Sequence, residues 1–205
     1  ENGYFVETGW ATNVDVEIPG ANTLWEIEGN TNLGPNNPIK LVWENKEGLK
    51  FEKKISLDNK FLFTIDQKIT NSSQKNYKFY PYGQITRNKA PQVTNFYILH
   101  EGLIGVFDEQ LVEKDYDDIE DKKFSINAKS GWTGITDKFW IVTMIPENNR
   151  EFRGDFEYKK NYKANFIYTN YDEVGSGDGV SSKIKIIIAA KETDVIDEYA
   201  EKSNI

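Results

Sequence analysis

The stretch Phe61-Leu62-Phe63-Thr64-Ile65-Asp66 alternates apolar and polar side chains, and this alternation decides the fold class. Because successive side chains of a β-strand point to opposite faces, its first, third and fifth residues are predicted to share one buried face. Residues 183–188 repeat the pattern and place Ile184, Ile186 and Ile188 on one side. Alternation of this kind is typical of half-buried antiparallel strands.

The same period continues outward along the chain, at Leu41 and Trp43 and again at Leu49, Phe51 and Ile55. Clusters of Gly, Pro, Asn, Asp and Ser separate the strand candidates, roughly every ten residues. About a dozen such strands predict an all-β fold, a large sandwich of two stacked, mostly antiparallel sheets. No linker rich in Pro, Gly or Ser divides the chain, so residues 1–205 are predicted to form a single domain.

One segment has a helical pattern instead, at residues 193–203 near the end of the chain. Val195, Ile196, Tyr199 and Ala200 recur at helical spacing, with Thr193 or Asp194 as the N-cap. A short C-terminal helix is therefore predicted there.

Composition excludes several functional classes. The 205 residues carry a formal net charge of −8, which argues against a nucleic-acid binder and against electrostatic adsorption to anionic lipid. Cysteine is absent, so the chain has no disulfide, thiolate metal site or cysteine nucleophile. The longest apolar run, residues 186–190, is far shorter than the about twenty residues of a membrane span. The sequence starts at Glu1 without a signal peptide, and it is expected to be a soluble piece of a longer protein.

His100, the one histidine, is followed by Glu101, and the pair suggests two kinds of site. A zinc-protease helix needs a second histidine four residues later, where Ile104 stands, so that interpretation fails. An acid–base pair for sugar chemistry needs both side chains to converge, whereas neighbours on a strand point to opposite faces. A structural role for His100 is therefore favoured.

Three further segments are weak candidates. The acidic run at residues 115–121 lacks the ligand spacing and the glycine of a calcium loop, which favours a solvated acidic loop. The glycine cluster at residues 175–179 lacks the Lys and the helix of a phosphate loop, so it predicts a flexible turn. Exposed Trp or Tyr rings could stack on sugars or hold apolar peptides, although most rings at strand spacing are expected in the core. The residues by themselves predict no catalytic, cofactor-binding or metal-binding site.

Several longer blocks, taken in order, resemble one protein family. The most characteristic are Phe96-Tyr97-Ile98-Leu99-His100-Glu101-Gly102-Leu103-Ile104-Gly105-Val106 and Gly131-Trp132-Thr133-Gly134-Ile135-Thr136-Asp137-Lys138-Phe139-Trp140. The others are residues 4–10, 38–45, 48–51, 55–63, 81–87 with Pro91, and 145–146. Their order and spacing are similar to the large periplasmic domain of the YidC family of bacterial membrane protein insertases, in its alphaproteobacterial form. Phe139 replaces a Tyr of the family pattern, and Phe61-Leu62 replaces Tyr-Met.

The resemblance implies a fold and a setting. The fold is a β-supersandwich whose C-terminal helix, residues 193–203, leads toward a membrane span that this sequence does not include. The parent would be a multi-pass inner-membrane protein that inserts and folds other membrane proteins, alone or with the Sec translocon, without nucleotide or metal. This domain would lie on the periplasmic side of the bacterial inner membrane.

The resemblance also implies a role for the domain itself. The groove residues that perform insertion lie outside this sequence, so no catalytic, cofactor-binding or metal-binding residue carries over. The domain is expected to be a binding or scaffold module and not an enzyme. The expected partners are translocon accessory proteins of the SecDF type and nascent membrane proteins, and no nucleic acid.

Two other functions remain open at this point. Supersandwich folds are shared with sugar epimerases, so a carbohydrate-binding or mutarotase-like domain is the alternative; it would need a histidine and a carboxylate converging in a cleft. The third possibility is a spacer that binds no partner.

Overall fold

Fifteen strands and one short helix make up the part of the chain that the structure, a computed structural model, describes: residues 3–91 and 100–191. The strands are β1 (Tyr4–Ala11), β2 (Glu26–Glu28), β3 (Ile39–Glu44), β4 (Leu49–Leu57), β5 (Leu62–Asn71), β6 (Tyr77–Arg87), β7 (Gly102–Phe107), β8 (Gln110–Asp115), β9 (Phe124–Ala128), β10 (Gly131–Thr136), β11 (Trp140–Ile145), β12 (Phe152–Tyr158), β13 (Tyr162–Tyr168), β14 (Asp172–Val174) and β15 (Gly179–Ala190). The helix is α1 (Tyr116–Asp121). The helix predicted at residues 193–203 lies outside the described residues.

The strands form two sheets. The six-stranded sheet has the order β1-β6-β13-β12-β9, with β14 also paired to β6. The nine-stranded sheet has the order β2-β3-β4-β5-β15-β11-β10-β7-β8. All pairings between these strands are antiparallel. The prediction of an all-β sandwich with two antiparallel sheets is confirmed.

Alternation along each strand sends one set of side chains into the space between the sheets. In β6 every second residue from Tyr77 to Arg87 is buried. In β15 the predicted face is confirmed, because Ile184, Ile186 and Ile188 all join the main core cluster. A strand with one solvent-exposed face and one buried face needs polar and apolar residues to alternate in this way.

The prediction for Phe61 was wrong. It lies in the turn before β5 with φ of 63° and is 63% exposed, so it does not share a buried face with Phe63 and Ile65. The turn is held by Asp58, whose carboxylate oxygen Oδ1 accepts hydrogen bonds from the backbone N–H groups of Lys60 and Leu62. Turn geometry therefore overrides the apolar character of this one side chain.

Aromatic rings fill the middle of the core. Phe107 of β7 lies 6.3, 6.3 and 6.0 Å, centroid to centroid, from Phe124, Phe152 and Phe156 of the other sheet. A Cβ atom on Gly154 would approach Phe107 Cε1 to 2.4 Å, so the ring fits only because this position carries no side chain. Phe107 thereby couples the two sheets.

The acidic run at residues 115–121 is not the predicted solvated loop, because part of it forms α1. Tyr116 and Ile119 are buried in the core cluster, while the carboxylates face outward. The Tyr116 hydroxyl donates to Asp137 Oδ1 over 2.7 Å. The short helix forms because its two apolar side chains gain core contacts that a loop would not supply.

A buried ion pair ties the two sheets together at one end of the sandwich. Arg87, the last residue of β6, places Nη2 2.8 Å from Oδ2 of Asp137, which follows β10. The side chains are 7% and 13% exposed, respectively. The guanidinium also lies 4.6 Å from the centroid of the Tyr4 ring. Burial raises the pKa of both Tyr4 and Tyr116, with Asp137 adding to each shift, so both phenols stay protonated.

Replacement of Asp137→Asn is expected to lower the free energy of unfolding by about 3 kcal/mol, because it leaves the buried Arg87 charge without its counter-ion. Urea unfolding at neutral pH, followed by circular dichroism, measures the change. The control is Asp66→Asn, which breaks an exposed pair with Lys183 and should cost under about 1 kcal/mol. Equal midpoints for the two variants would contradict the prediction.

Candidate functional site

A cleft of about 270 Å³ opens between the two sheets beside the edge strand β1. Its walls come from β1 and β6 of one sheet, from β3, β4, β5 and β15 of the other, and from the loop that precedes β2. The lining residues are Val6, Glu7, Thr8, Pro19, Gly20, Ala21, Trp25, Leu41, Lys53, Ile55, Ile65, Tyr82 and Ile186.

Lys53 is the cation of the cleft. It occupies an inward position in β4, where its ammonium donates a hydrogen bond to the Thr8 carbonyl oxygen. Its Nζ also lies 5.2 Å from the centroid of the Trp25 ring, within range of a cation–π contact. Burial lowers the pKa of Lys53 to about 8, and the nearby Glu7 charge opposes the shift in part.

Glu7 and Tyr82 form the second polar feature. The Tyr82 hydroxyl donates to Glu7 Oε1 across the β1–β6 pair. Burial, and then this hydrogen bond, raise the pKa of Tyr82. The phenol is therefore a fixed donor and the carboxylate an acceptor, which holds Glu7 beside the cleft.

The edge of β1 is partly closed by side chains of the nine-stranded sheet. Lys53 donates to the Thr8 carbonyl, and Gln67 Nε2 donates to the Gly9 carbonyl over 3.3 Å. Carbonyls of consecutive strand residues point to opposite edges, so only one of these two lies on the free edge of β1. The two bonds tie β1 to the nine-stranded sheet beside the cleft.

The cleft suits a small apolar group. Its branched aliphatic lining residues are Val6, Leu41, Ile55, Ile65 and Ile186. Ligand pockets for whole small molecules occupy roughly 300–1,000 Å³, so a cleft at or below that range holds one or two side chains of a longer partner. Across the described residues, no group of three or more His, Asp or Glu side chains is arranged to hold a metal ion.

Comparison with known families identifies the chain. The family model of the YidC periplasmic domain matches residues 1–204. The chain belongs to the YidC periplasmic domain family. The membrane protein insertase YidC of Pelagibacter ubique is 52% identical over the whole chain, and the match covers 37% of that protein. The insertase of Rickettsia prowazekii is 38% identical over the whole chain, which spans 38% of its length. The family resemblance found in the sequence is thus confirmed.

The fold of this YidC periplasmic domain occurs elsewhere without sequence similarity. A galactose mutarotase-like protein from Lactobacillus casei superimposes with a TM-score of 0.55 at 7% identity. The match covers 80% of this chain and 72% of the other. At this identity the likeness shows a shared fold and nothing about chemistry. No helix in the described ranges is both long and apolar enough to cross a membrane.

The structure places His100 away from the cleft, two residues before β7 begins. Its Nε2 lies 3.1 Å from the Leu103 carbonyl oxygen, and its Nδ1 lies 3.2 Å from Asp115 Oδ1. Both ring nitrogens are therefore used in fixing the β7–β8 pair. Neither His100 nor Glu101 lines the cleft.

Two other segments of this YidC-family chain have structural roles. Gly175 accepts a hydrogen bond from the Asp178 backbone N–H, and Gly177 has φ of 81°, so the glycine cluster forms the turn before β15. Asn71 starts an Asn-Ser-Ser triplet, but it is fully buried, and its amide donates to three backbone carbonyls. The amide is therefore not accessible for glycosylation in the folded chain.

The sequence analysis did not predict the polar cluster of Lys53, Glu7 and Tyr82 in the cleft, although the position of Lys53 in the sequence indicated part of it. The apolar series Leu49, Phe51 and Ile55 skips position 53, and a strand places Lys53 on the same face. A lysine at an inward position marks a special site. Glu7 and Tyr82 left no comparable signal, because the pair forms only when β1 lies beside β6.

We expect the Lys53 environment to make stability depend on pH. Between about pH 8 and 10.5, the unfolded chain keeps the proton on this amine and the folded chain loses it. The free energy of unfolding should therefore rise with pH across this window, and Lys53→Met should remove part of that rise. Urea unfolding at a series of pH values measures the slope.

The matched control is Glu7→Gln, which removes the neighbouring negative charge. It should lower the pKa of Lys53 further and move the start of the rise below pH 8. Identical slopes for the original chain and for Lys53→Met would contradict the prediction.

Proposed function

We propose that this chain is the periplasmic binding and scaffold part of a membrane protein insertase, at the periplasmic face of the bacterial inner membrane. The observation that carries this function is the match to the YidC periplasmic domain over residues 1–204, with relatives named membrane protein insertases. The chain spans 37% of the Pelagibacter ubique protein, so insertion itself is assigned to the complete protein. Residues 1–205 would act as one domain, since the main core cluster draws on both sheets.

The cleft gives this part a binding role in place of a catalytic one. Aliphatic side chains line about half of it, and its charged groups and phenol, on Lys53, Glu7 and Tyr82, are already held by hydrogen bonds. Such a surface shelters one or two apolar side chains and leaves the backbone of a bound segment in water. The occupant that fits is an emerging segment of a nascent membrane protein.

Accessory subunits of the Sec translocon, of the SecDF type, are the second class of partner in this proposal. Family membership supports it, since the relatives are insertases. The domain offers broad sheet faces outside the cleft for such a contact. No nucleic acid partner fits a chain with a net charge of −8.

A photo-crosslinking experiment in the complete insertase tests the cleft. A photoreactive amino acid at Leu41 should crosslink to a nascent inner-membrane protein, and Ile55→Asp in the same chain should reduce the yield several-fold. The same probe at Leu111, an exposed residue of β8 at the far edge of the nine-stranded sheet, is the control. Equal yields at the two positions, or none at Leu41 while insertion proceeds, would reject the cleft as the binding site.

Carbohydrate binding is the alternative, and the shared fold with a mutarotase-like protein is the observation in its favour. Proton transfer at a sugar ring needs an acid and a base on one substrate, and His100 lies outside the cleft. We therefore expect galactose and glucose to leave the melting temperature unchanged and mutarotation to stay at the uncatalysed rate. A melting shift that saturates with either sugar, and that Glu7→Gln abolishes, would favour the alternative.

A further inference from the structure

Both ends of the described chain lie at the same end of the sandwich. Gly3 accepts a backbone hydrogen bond from the residue that follows Arg87. Lys191 donates its backbone N–H to the Phe139 carbonyl oxygen over 2.9 Å. The Arg87–Asp137 ion pair joins these two places across the sheets. The chain therefore enters and leaves the described fold at one end.

Four exposed Phe and Trp side chains mark this end, which we call the aromatic end: Phe5, Phe61, Phe139 and Trp140. Tyr158 is also exposed there. The exposed fractions of the four Phe and Trp side chains are 59, 63, 64 and 54%, respectively. Within the described ranges, every Phe or Trp among the exposed large apolar residues belongs to this set. Burying an aromatic ring stabilises a protein more than burying a small side chain does. Four solvent-exposed rings at one end therefore indicate a surface that contacts something else.

The four rings reach this end from three elements. Phe139 and Trp140 form the tip of the β10–β11 hairpin, which closes with a hydrogen bond from Asp137 N–H to the Trp140 carbonyl. Phe5 stands one residue from the start of β1. Phe61 precedes Leu62, the residue of β5 that pairs with Ile187 near the end of β15. The rings thus occupy separate tips and not a continuous groove.

The opposite end of the sandwich differs. Its exposed apolar side chains include Leu111 on the β7–β8 hairpin and Tyr171 after β13, with no exposed Phe or Trp in the described part. Tyr171 is covered in part by Lys78, whose Nζ lies 4.3 Å from the ring centroid. Exposure of Phe and Trp side chains is therefore confined, within the described part, to one end of the sandwich.

Charge at the aromatic end is mixed. Exposed lysines occupy its turns, at positions 60, 89, 138, 159 and 160. The Lys138 ammonium lies 5.1 Å from the centroid of the Phe139 ring. Helix α1 contributes the opposing carboxylates Asp117, Asp118, Glu120 and Asp121, of which Glu120 accepts a hydrogen bond from Tyr162. Because charges of both signs lie at this end, electrostatic attraction to a negatively or positively charged surface is expected to be weak.

We propose that the aromatic end rests in the headgroup layer of the lipid bilayer, with Phe139 and Trp140 inserted deepest. Separate amphipathic tips with aromatic rings and lysines are typical of contact with the membrane–water interface, where rings enter the apolar boundary and lysine stems extend back to water. A fluid lipid surface can adapt to several separate tips at once. A protein partner would need a continuous complementary surface, which separate tips do not offer. Family membership supports contact with a bilayer. The chain corresponds to 37% of a relative named a membrane protein insertase.

The absence of cysteine allows a clean positional test. The full chain of 205 residues is labelled with an environment-sensitive fluorophore at one introduced cysteine, in Trp140→Cys or in the control Leu111→Cys. Leu111 is 57% exposed and lies at the opposite end, so the two sites match in exposure and differ in position. A C-terminal polyhistidine tag tethers each protein to chelating lipid in vesicles of phosphatidylethanolamine and phosphatidylcholine.

The label at position 140 should shift its emission to the blue on tethering and be quenched by spin-labelled lipids, while the label at position 111 should do neither. In untethered protein with the label at position 5 (Phe5→Cys), Phe139→Ser with Trp140→Ser should reduce vesicle partitioning by about tenfold or more, whereas Leu111→Ser should not. Adding phosphatidylglycerol should change partitioning little, since the charge at this end is mixed.

Three results would overturn the proposal. The first is an unquenched label at position 140 in tethered protein. The second is partitioning that depends on phosphatidylglycerol and survives loss of both rings, which would indicate adsorption by charge. The third is a blue shift that depends on protein concentration and occurs without vesicles, which would assign the aromatic end to contact between copies of this chain.

Discussion

The inward-facing side chains of β6, β7, β12 and β15 exclude water from the space between the two sheets, and the other features depend on that shared interior. Phe107 provides the clearest contact, since its ring lies among three Phe rings of the opposite sheet above Gly154. Burial of this area supplies the main driving force for folding. The Arg87–Asp137 pair then fixes how the sheets meet at one end, because an unpaired charge at that depth would be costly.

The unequal widths of the sheets create the cleft. The six-stranded sheet stops at β1, whereas the nine-stranded sheet continues past that edge through β4, β3 and β2. Aliphatic side chains of the wider sheet are therefore left beside an edge strand with unpaired carbonyls. Lys53 and Gln67 donate to the Thr8 and Gly9 carbonyls of that strand, and the bond to Thr8 holds a lysine with a lowered pKa between the two sheets.

The same architecture occurs in proteins of unrelated sequence. The mutarotase-like protein shares the fold at 7% identity, but the cleft described here has an amine, a carboxylate and a phenol without a histidine. Function must be argued from such groups and not from the fold. The cleft and the aromatic end are formed by different residues, so the two proposed contacts, with a polypeptide and with a bilayer, do not compete.

The sequence by itself determined the strands, the turns and the family, because the period of two and the turn residues are local properties of the chain. The inward face of β15 follows directly from Ile184, Ile186 and Ile188. Local pattern could not show that Phe61 leaves its strand for a turn, or that Tyr116 and Ile119 turn an acidic run into helix α1. Nor could it show which exposed rings lie at one end of the sandwich. It also could not show that Lys53 donates a hydrogen bond to the Thr8 carbonyl near the Glu7 charge. These outcomes were decided by the tertiary structure, since each depends on contacts between residues far apart in the chain, whose free energy exceeds local preference.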